Sequence, residues 1–255
     1  MKIALIQSSL IWENPTANRN YFEQKISAIK EKVDLIVLPE MFTTGFTMNP
    51  ENVAETMQGE TILGLQSLAK AGNFAITGSL TIKENKNFYN RLVFVFPSGE
   101  IQFYDKRHLF TLAGEDKVYK SGKEKLIVEY LGWKFCPLIC YDLRFPVFAR
   151  NTENYDVLIY MANWPKTRIN AWDILIQARS IENMCYTIGV NRIGSDDNKF
   201  EYVGHSQAVD FLGNCIVEPQ ENEGVFIVEL NKEKLVETRS KLGFLNDQDS
   251  FALKP

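Results

Sequence analysis

The sequence contains little cysteine and little histidine. Its 255 residues include four cysteines and two histidines. Four scattered cysteines are too few for a disulfide framework and are typical of a protein in a reducing compartment. A zinc site needs at least three suitably spaced ligands, and neither His108 nor His205 has such neighbours in the sequence. We therefore expect a fold that depends on an ordinary hydrophobic core, without disulfides or a bound metal.

Long apolar runs and blocks of basic residues are also missing. The longest apolar segments, 35–39 and 157–162, are far shorter than the roughly 18 residues that span a bilayer, and the first residues lack a signal-peptide pattern. These absences favour a cytoplasmic protein that does not enter membranes. With 28 Lys and Arg against 32 Asp and Glu, the formal net charge is −4. No basic run and no Gly-rich phosphate loop is present, so we expect neither a nucleic acid partner nor a nucleotide cofactor.

Short apolar runs alternate with longer amphipathic runs in two series of the same order. The first series predicts strands at 2–7, 34–39 and 74–80 and helices at 20–32 and 61–71. The second predicts strands at 133–140, 156–162 and 186–192 and helices at 145–152 and 170–183. Hairpin-like strands follow each series, at 91–96 and 101–104 in the first half and at 206–211, 215–218 and 225–230 in the second. The chain therefore reads as two similar βαβαβ halves.

The two halves are expected to pack on each other. Two similar sheets, each with helices on one face, bury their remaining faces most readily against one another. No Pro- or Gly-rich linker separates the halves. We therefore predict a single α/β domain over residues 1–255.

Polar residues appear abruptly where three of the predicted strands end. Glu40, Lys106 and Cys140 each follow an apolar run that stops one or two residues earlier. Loops after strand ends are where α/β sheets place their chemistry. A thiol beside a carboxylate and a cation can act as a nucleophile in acyl transfer, because the base takes the thiol proton and the cation stabilises charge on the substrate oxygen. Taken singly, each residue also fits a solvated loop or, for the cysteine, a small core position.

Three motifs in a fixed order carry a resemblance to a known family. They are Leu38-Pro-Glu40-Met-Phe42, Tyr104-Asp-Lys106-Arg-His-Leu-Phe110 and Leu138-Ile-Cys140-Tyr-Asp-Leu-Arg144-Phe-Pro146. Together they resemble the three signatures of the nitrilase (carbon-nitrogen hydrolase) superfamily, and further similarity continues to about residue 230. The resemblance implies a four-layer αββα sandwich, which agrees with the two βαβαβ halves.

The resemblance also implies roles for individual residues. Glu40, Lys106 and Cys140 match the Glu-Lys-Cys triad of the family, in which the thiol attacks an amide carbonyl and the glutamate carries the protons. Lys106 and the backbone N–H of Tyr141 would stabilise the oxyanion. Glu115 matches a second glutamate that positions the lysine and the substrate. No cofactor and no metal is implied.

Within the superfamily, residues 38–46 and the stretch Ala162-Asn-Trp-Pro165 look most like bacterial omega-amidases. Those enzymes hydrolyse the terminal amide of 2-oxo-dicarboxylic acid monoamides such as 2-oxoglutaramate. The far carboxylate of such a substrate would favour a bidentate arginine. Arg168 is the first candidate and Arg144 the alternative.

Secondary roles are expected for several other residues. Arg144 is also expected to orient the neighbourhood of Asp142 or of a glutamate. Phe42 and Trp164 would line the pocket, although both also fit core positions. Among the remaining polar groups we expect core or structural roles; these are Cys136, Cys185, Cys215 and Ser206.

Other functions stay open at this stage. A related hydrolase acting on a carbamoyl amino acid, an aliphatic amide or a nitrile would keep the same triad and change only the pocket. A catalytically inactive sandwich kept as a binding or assembly subunit would keep the fold alone, but the presence of all three triad residues argues against it.

The predicted helix at 170–183 indicates self-association. Its apolar residues form a set wider than one core-facing stripe: Trp172, Ile174, Leu175, Ala178 and Ile181. An exposed remainder of this set would favour a two-fold homodimer. The family resemblance points the same way.

Activity is predicted to be independent of metals and nucleotides, because the sequence has neither clustered ligands nor a phosphate loop. Ammonia release from an amide substrate should be the same before and after dialysis against a strong chelator. A reversible loss of activity that zinc restores would contradict this prediction.

Overall fold

The structure, a computed structural model, describes residues 1–253. Strands β1 to β14 are Lys2–Gln7, Leu35–Val37, Ala75–Glu84, Asn87–Val95, Ile101–Asp105, Val128–Tyr130, Trp133–Ile139, Val157–Ala162, Tyr186–Asn191, Ile193–Ser195, Glu201–Val203, Gln207–Val209, Cys215–Val217 and Gly224–Glu229. Helices α1 to α7 are Pro15–Ser27, Pro50–Val53, Glu60–Gly72, Glu115–Val118, Pro146–Ala149, Ile169–Asn183 and Lys232–Leu242. Within residues 1–253, each helix is too short or too polar to cross a bilayer.

Twelve of these strands form two six-stranded sheets with the same layout. The order is β14-β1-β2-β3-β4-β5 in the first sheet and β13-β12-β9-β8-β7-β6 in the second. Each sheet has three parallel strands at its centre, β1-β2-β3 or β7-β8-β9, and antiparallel strands on both sides of them. The two predicted halves are therefore confirmed.

Successive residues of a strand face different layers of the fold. Ile3 and Leu5 on β1 belong to the core between the sheets, whereas Ala4 and Ile6 belong to the core beneath the helices. Successive strand residues point to opposite faces, so one strand serves both cores. Helices α1 and α3 cover the first sheet, and α6 covers the second with Trp172. The result is the expected αββα sandwich.

The structure corrects two details of the predicted order. The strand predicted at 225–230 as the end of the second half is β14, which pairs antiparallel with β1 in the first sheet. At the equivalent edge of the second sheet lies β6, which the sequence pattern did not reveal. The helix predicted at 145–152 is only the single turn α5, because the backbone leaves the helical conformation at Arg150.

Helix α1 begins at Pro15, earlier than the apolar pattern predicts. The side chain of Asn14 accepts a hydrogen bond from the N–H of Ala17, and proline follows at the first helical position. Asparagine at the cap and proline directly after it are strong helix-start signals. The first turn is therefore helical, although its polar sequence shows little apolar periodicity.

Helix α6 exposes part of its apolar set. Trp172 is fully buried, but Ile174 and Ile181 are 56% and 51% exposed. This arrangement supports the predicted homodimer, which stays a prediction.

In solution we expect a mass of about twice 29.3 kDa by light scattering at micromolar concentration. Ile174→Glu or Ile181→Glu should yield the monomer, because a charge would be buried without a partner in the interface. Leu63→Glu on α3 is the matched control, since Leu63 is also 56% exposed but lies on the opposite outer layer. A wild-type mass near that of one chain would contradict the dimer.

Candidate active site

The carboxyl ends of four strands meet at one edge of the sandwich. Glu40 follows β2, Lys106 follows β5, Cys140 follows β7 and Asn163 follows β8. All four contribute to the wall of a cavity of about 430 Å³. The structure therefore brings the three residues of the sequence hypothesis together.

Lys106 lies between two carboxylates in the interior. Its Nζ is 2.8 Å from Glu40 Oε1 and 3.0 Å from Glu115 Oε2, and all three side chains have no exposed surface. Burial alone disfavours the ammonium, but the carboxylates of Glu115 and Glu40 outweigh this effect and hold the pKa of Lys106 above its ordinary value. Burial raises the pKa of Glu115, while Lys106 opposes the shift. The lysine is therefore a permanent cation in this cluster.

Cys140 sits at a strained point of the backbone. Its φ is 42°, in the left-handed region that costs a residue other than glycine about 1–3 kcal/mol. The turn places the thiol in the wall of the cavity that Glu40 also lines. Burial raises the pKa of the thiol well above its usual range, and Glu40 adds to the shift while Lys106 opposes it. The resting group is a neutral thiol beside a carboxylate.

Tyr141 follows Cys140 in the 3₁₀ turn and lines the cavity. The first N–H groups of such a turn have no partner within it. The backbone N–H of Tyr141, the residue directly after Cys140, is thus available as a hydrogen-bond donor close to the thiol.

Two asparagines hold Glu40, and sequence reasoning assigned neither of them a role. The N–H of Asn163 donates to Glu40 Oε2 at 2.8 Å, and its Nδ2 donates to the backbone oxygen of Glu40 at 2.6 Å. Asn90 Nδ2 donates to Glu40 Oε1 at 2.8 Å. Asn163 could have been found, because it follows a predicted strand as the three other site residues do. Asn90 lies inside β4, where no motif marks it.

Asp142 ties the lysine segment to the cysteine segment. It accepts hydrogen bonds from Tyr104 Oη at 2.8 Å and from the N–H of Ile139 at 3.0 Å, and it lies 2.7 Å from His108 Nδ1. The expectation that Arg144 orients Asp142 is wrong, because these partners already occupy the carboxylate.

The cavity rim carries two arginines. The guanidinium of Arg144 lies over the ring of Trp164 at 5.0 Å, and that of Arg168 lies over the ring of Phe110 at 5.3 Å. All four residues line the cavity. Within residues 1–253, neither guanidinium forms an ion pair with a carboxylate. The rim therefore presents two guanidinium groups that are not engaged in ion pairs within residues 1–253.

Phe42 does not line the cavity, contrary to the sequence expectation. It is 1% exposed and packs edge-on against Phe22 of α1 at 5.3 Å. The chain turns at Met41, whose φ is 44°, so Glu40 reaches the cavity while Phe42 enters the helix-side core. Gly78 makes room there, since a Cβ at that position would lie 3.1 Å from the Phe42 ring. Phe46 lines the cavity instead.

The remaining polar groups of the sequence analysis lie outside the cavity. Cys136 and Cys185 are fully buried, and Cys215 is half-buried near the second sheet's edge. Ser206 exchanges hydrogen bonds with the backbone of Asn191. His205 pairs with an aspartate of α6. Residues 1–253 contain no group of three or more His, Cys, Asp or Glu side chains arranged to hold a metal.

This arrangement of motifs matches a known family. A sequence model of the family described as carbon-nitrogen hydrolase matches residues 2–240. The chain belongs to the carbon-nitrogen hydrolase family. As a carbon-nitrogen hydrolase it is an enzyme that hydrolyses C–N bonds.

Three relatives illustrate where this carbon-nitrogen hydrolase lies in its family. The omega-amidase YafV of Escherichia coli (strain K12) is 41% identical, over 99% of this chain and 98% of the relative. The 2-oxoglutaramate amidase of Bacillus subtilis (strain 168) is 32% identical, over 96% of both. The crystal structure of XC1258 from Xanthomonas campestris, a CN-hydrolase superfamily protein, superimposes with a TM-score of 0.97 at 40% identity, covering 100% of this chain and 99% of that one.

Alkylation should distinguish Cys140 from the other thiols of this carbon-nitrogen hydrolase. Of the four cysteines, Cys140 lines the cavity together with Glu40, whereas Cys136 and Cys185 are fully buried in the core and Cys215 lies at the edge of the second sheet. We expect iodoacetamide to modify Cys140 first, as measured by peptide mass spectrometry over time.

Glu40→Gln supplies the control for this experiment. The variant should slow labelling of Cys140, because the group that accepts the thiol proton is gone. It should leave the slower labelling of Cys215 unchanged. Faster labelling of Cys215 in the wild type, or equal Cys140 rates in both proteins, would contradict the assignment.

Proposed function

We propose that the enzyme hydrolyses the terminal amide of a small 2-oxo-dicarboxylic acid monoamide, of the 2-oxoglutaramate type, to the acid and ammonia. The observation that carries the proposal is a thiol, a carboxylate and an ammonium at the floor of a cavity whose rim holds two unpaired guanidinium groups. The floor suits acyl transfer, and the rim suits a substrate that is anionic at its far end. The identity with relatives named for omega-amidase and 2-oxoglutaramate amidase activities supports the same substrate class.

Cys140 is the nucleophile in this mechanism. Because its thiol shares the cavity wall with Glu40, the proton has a short path to the carboxylate as sulfur attacks the amide carbon. The oxyanion that forms would accept hydrogen bonds from Lys106 and from the N–H of Tyr141. Glu40 then passes the proton to the departing nitrogen. Ammonia leaves, and a thioester with Cys140 remains.

Glu40 acts again in the second half of the reaction. It takes a proton from water as the water oxygen attacks the thioester carbonyl, and the sulfur leaves and recovers a proton as the thiol. Lys106 stabilises the second oxyanion as it did the first. Glu115 contributes by keeping the ammonium of Lys106 beside Glu40, at 3.0 Å from its own Oε2.

The rim arginines would recognise the substrate's 2-oxo acid end. Arg168 and Arg144 are each held over an aromatic ring rather than by a carboxylate, so their N–H groups are available to a ligand. A guanidinium fork matches a carboxylate in a bidentate fashion. Trp164 and Phe110 would line the apolar part of the pocket between the reacting amide and this end.

A substrate panel tests the proposal. Ammonia release should be fastest with 2-oxoglutaramate and slower with glutamine, N-carbamoyl-β-alanine, an uncharged aliphatic amide of similar length and a simple nitrile. Cys140→Ala should release no ammonia from any of them. A preference for the nitrile or the carbamoyl compound would contradict the proposed substrate.

Arginine variants separate binding of the acid end from chemistry at the amide. Arg168→Ala and Arg144→Ala should each lower kcat/KM for 2-oxoglutaramate by roughly tenfold to a hundredfold, the loss expected for a charged hydrogen bond, while leaving the uncharged amide nearly unaffected. Lys166→Ala is the control, since Lys166 is an exposed cation on the same turn and pairs with Glu201. Equal losses for both substrates would contradict the recognition role.

A further inference from the structure

One asparagine contacts all three charged residues of the site. Asn90 Nδ2 donates to Glu40 Oε1 at 2.8 Å and to Glu115 Oε1 at 3.2 Å. The backbone oxygen of Asn90 accepts the N–H of Lys106 at 3.0 Å. Asn90 is fully buried and does not belong to the cavity wall, so these contacts are with the protein and not with a substrate.

Ser79 fixes the direction of the Asn90 amide. Its hydroxyl donates to Asn90 Oδ1 at 2.8 Å, and its oxygen accepts the N–H of Met41 at 2.8 Å. Because the carbonyl side of the amide faces a donor, the NH₂ side faces the carboxylates. Met41 directly follows Glu40 and has a positive φ of 44°. The Ser79–Asn90 pair therefore holds both the strained backbone after Glu40 and the side chain of Glu40.

An amide is suited to this position by its charge and by its number of donors. Glu40 and Glu115 share the single ammonium of Lys106, so two buried carboxyl groups compete for the donors of one cation. Donors without a charge compensate buried carboxylates without adding the desolvation cost of another ion. The two N–H groups of one amide can serve the two carboxylates at once.

We propose that Asn90 is a positioning residue of the hydrolase. It holds the side chains of Glu40 and Glu115 at hydrogen-bonding distance from Lys106, so that Glu40 is placed to accept the proton of the Cys140 thiol. The proposal rests on the proposed function, because it assigns Glu40 as the group that receives the thiol proton. Ser79 supports it by orienting the amide. Neither residue contacts the reacting atoms.

The balance between kcat and KM reports this role. Without the Asn90 amide, Glu40 keeps the donors of Lys106 and Asn163 but loses the hydrogen bond that fixes its Oε1. It is then placed less accurately against the Cys140 thiol, so the chemical step slows and kcat falls. KM should change little, because Asn90 does not line the cavity that takes the substrate.

Three variants test the proposal with an amide substrate. Asn90→Ala should lower kcat by roughly tenfold to a hundredfold, as expected for a misplaced catalytic group, and should leave KM for the amide nearly unchanged. Ser79→Ala should lower kcat less, because the amide keeps its donors and loses only its orientation. Thr77→Val is the matched control: Thr77 lies two residues earlier on β3, is equally buried, and its hydroxyl has no hydrogen-bond partner within residues 1–253.

A purely structural role would lower the amount of folded enzyme without lowering kcat per folded molecule. An unchanged kcat per folded molecule in Asn90→Ala, or in Ser79→Ala should Asn90→Ala not fold, would overturn the inference. The same loss of kcat in Thr77→Val would overturn it too. Failure of the proposed function is separate, since it would appear as ammonia release by Cys140→Ala or as no amide hydrolysis by the wild type.

Discussion

The ammonium of Lys106, fully buried between two carboxylates, is the interaction on which the rest of the site depends. Removing three charges from water is costly, and their mutual attraction compensates only when the geometry is accurate and the remaining donors and acceptors are satisfied. The parallel centres of the two sheets help meet this requirement. They bring the ends of β2, β7 and β8 to one edge, where Glu40, Cys140 and Asn163 follow within three residues.

Strain is concentrated beside the reacting groups. Cys140 itself and Met41, the residue after Glu40, both have positive φ angles near 40°. Each is held by contacts from another segment: Met41 by Ser79, and the turn after Cys140 by Asp142 with its partners Tyr104 and His108. The surrounding sheets thus supply the free energy that keeps these conformations, and the thiol meets its base without rearrangement.

Much of the site could be predicted from sequence because its members follow strand ends within recognisable motifs. The role of Asn90 could not be predicted, because no sequence motif marks a polar residue inside a strand. Its role arises only because β4 lies beside β3 and β5 in the sheet. The expectation that Phe42 lines the pocket was wrong for a similar reason. It stands two residues from Glu40 in the same motif, but the left-handed turn at Met41 sends it to the other face of the sheet. The order of the layers could be predicted from the alternation of apolar and amphipathic runs. The place of β14 could not, because it depends on which side of β1 is left without a neighbouring strand.

The crossing of β14 has a consequence for how the chain acquires its structure during synthesis. The second sheet uses residues from 128 to 217, a continuous stretch. The first sheet begins with β1 but gains the neighbour on β1's outer side only when residues 224–229 have been made. Until then β1 is paired with β2 alone and its outer side is an open edge of apolar sequence, the kind of surface to which other chains add. The half that is translated first is therefore the half that is closed last.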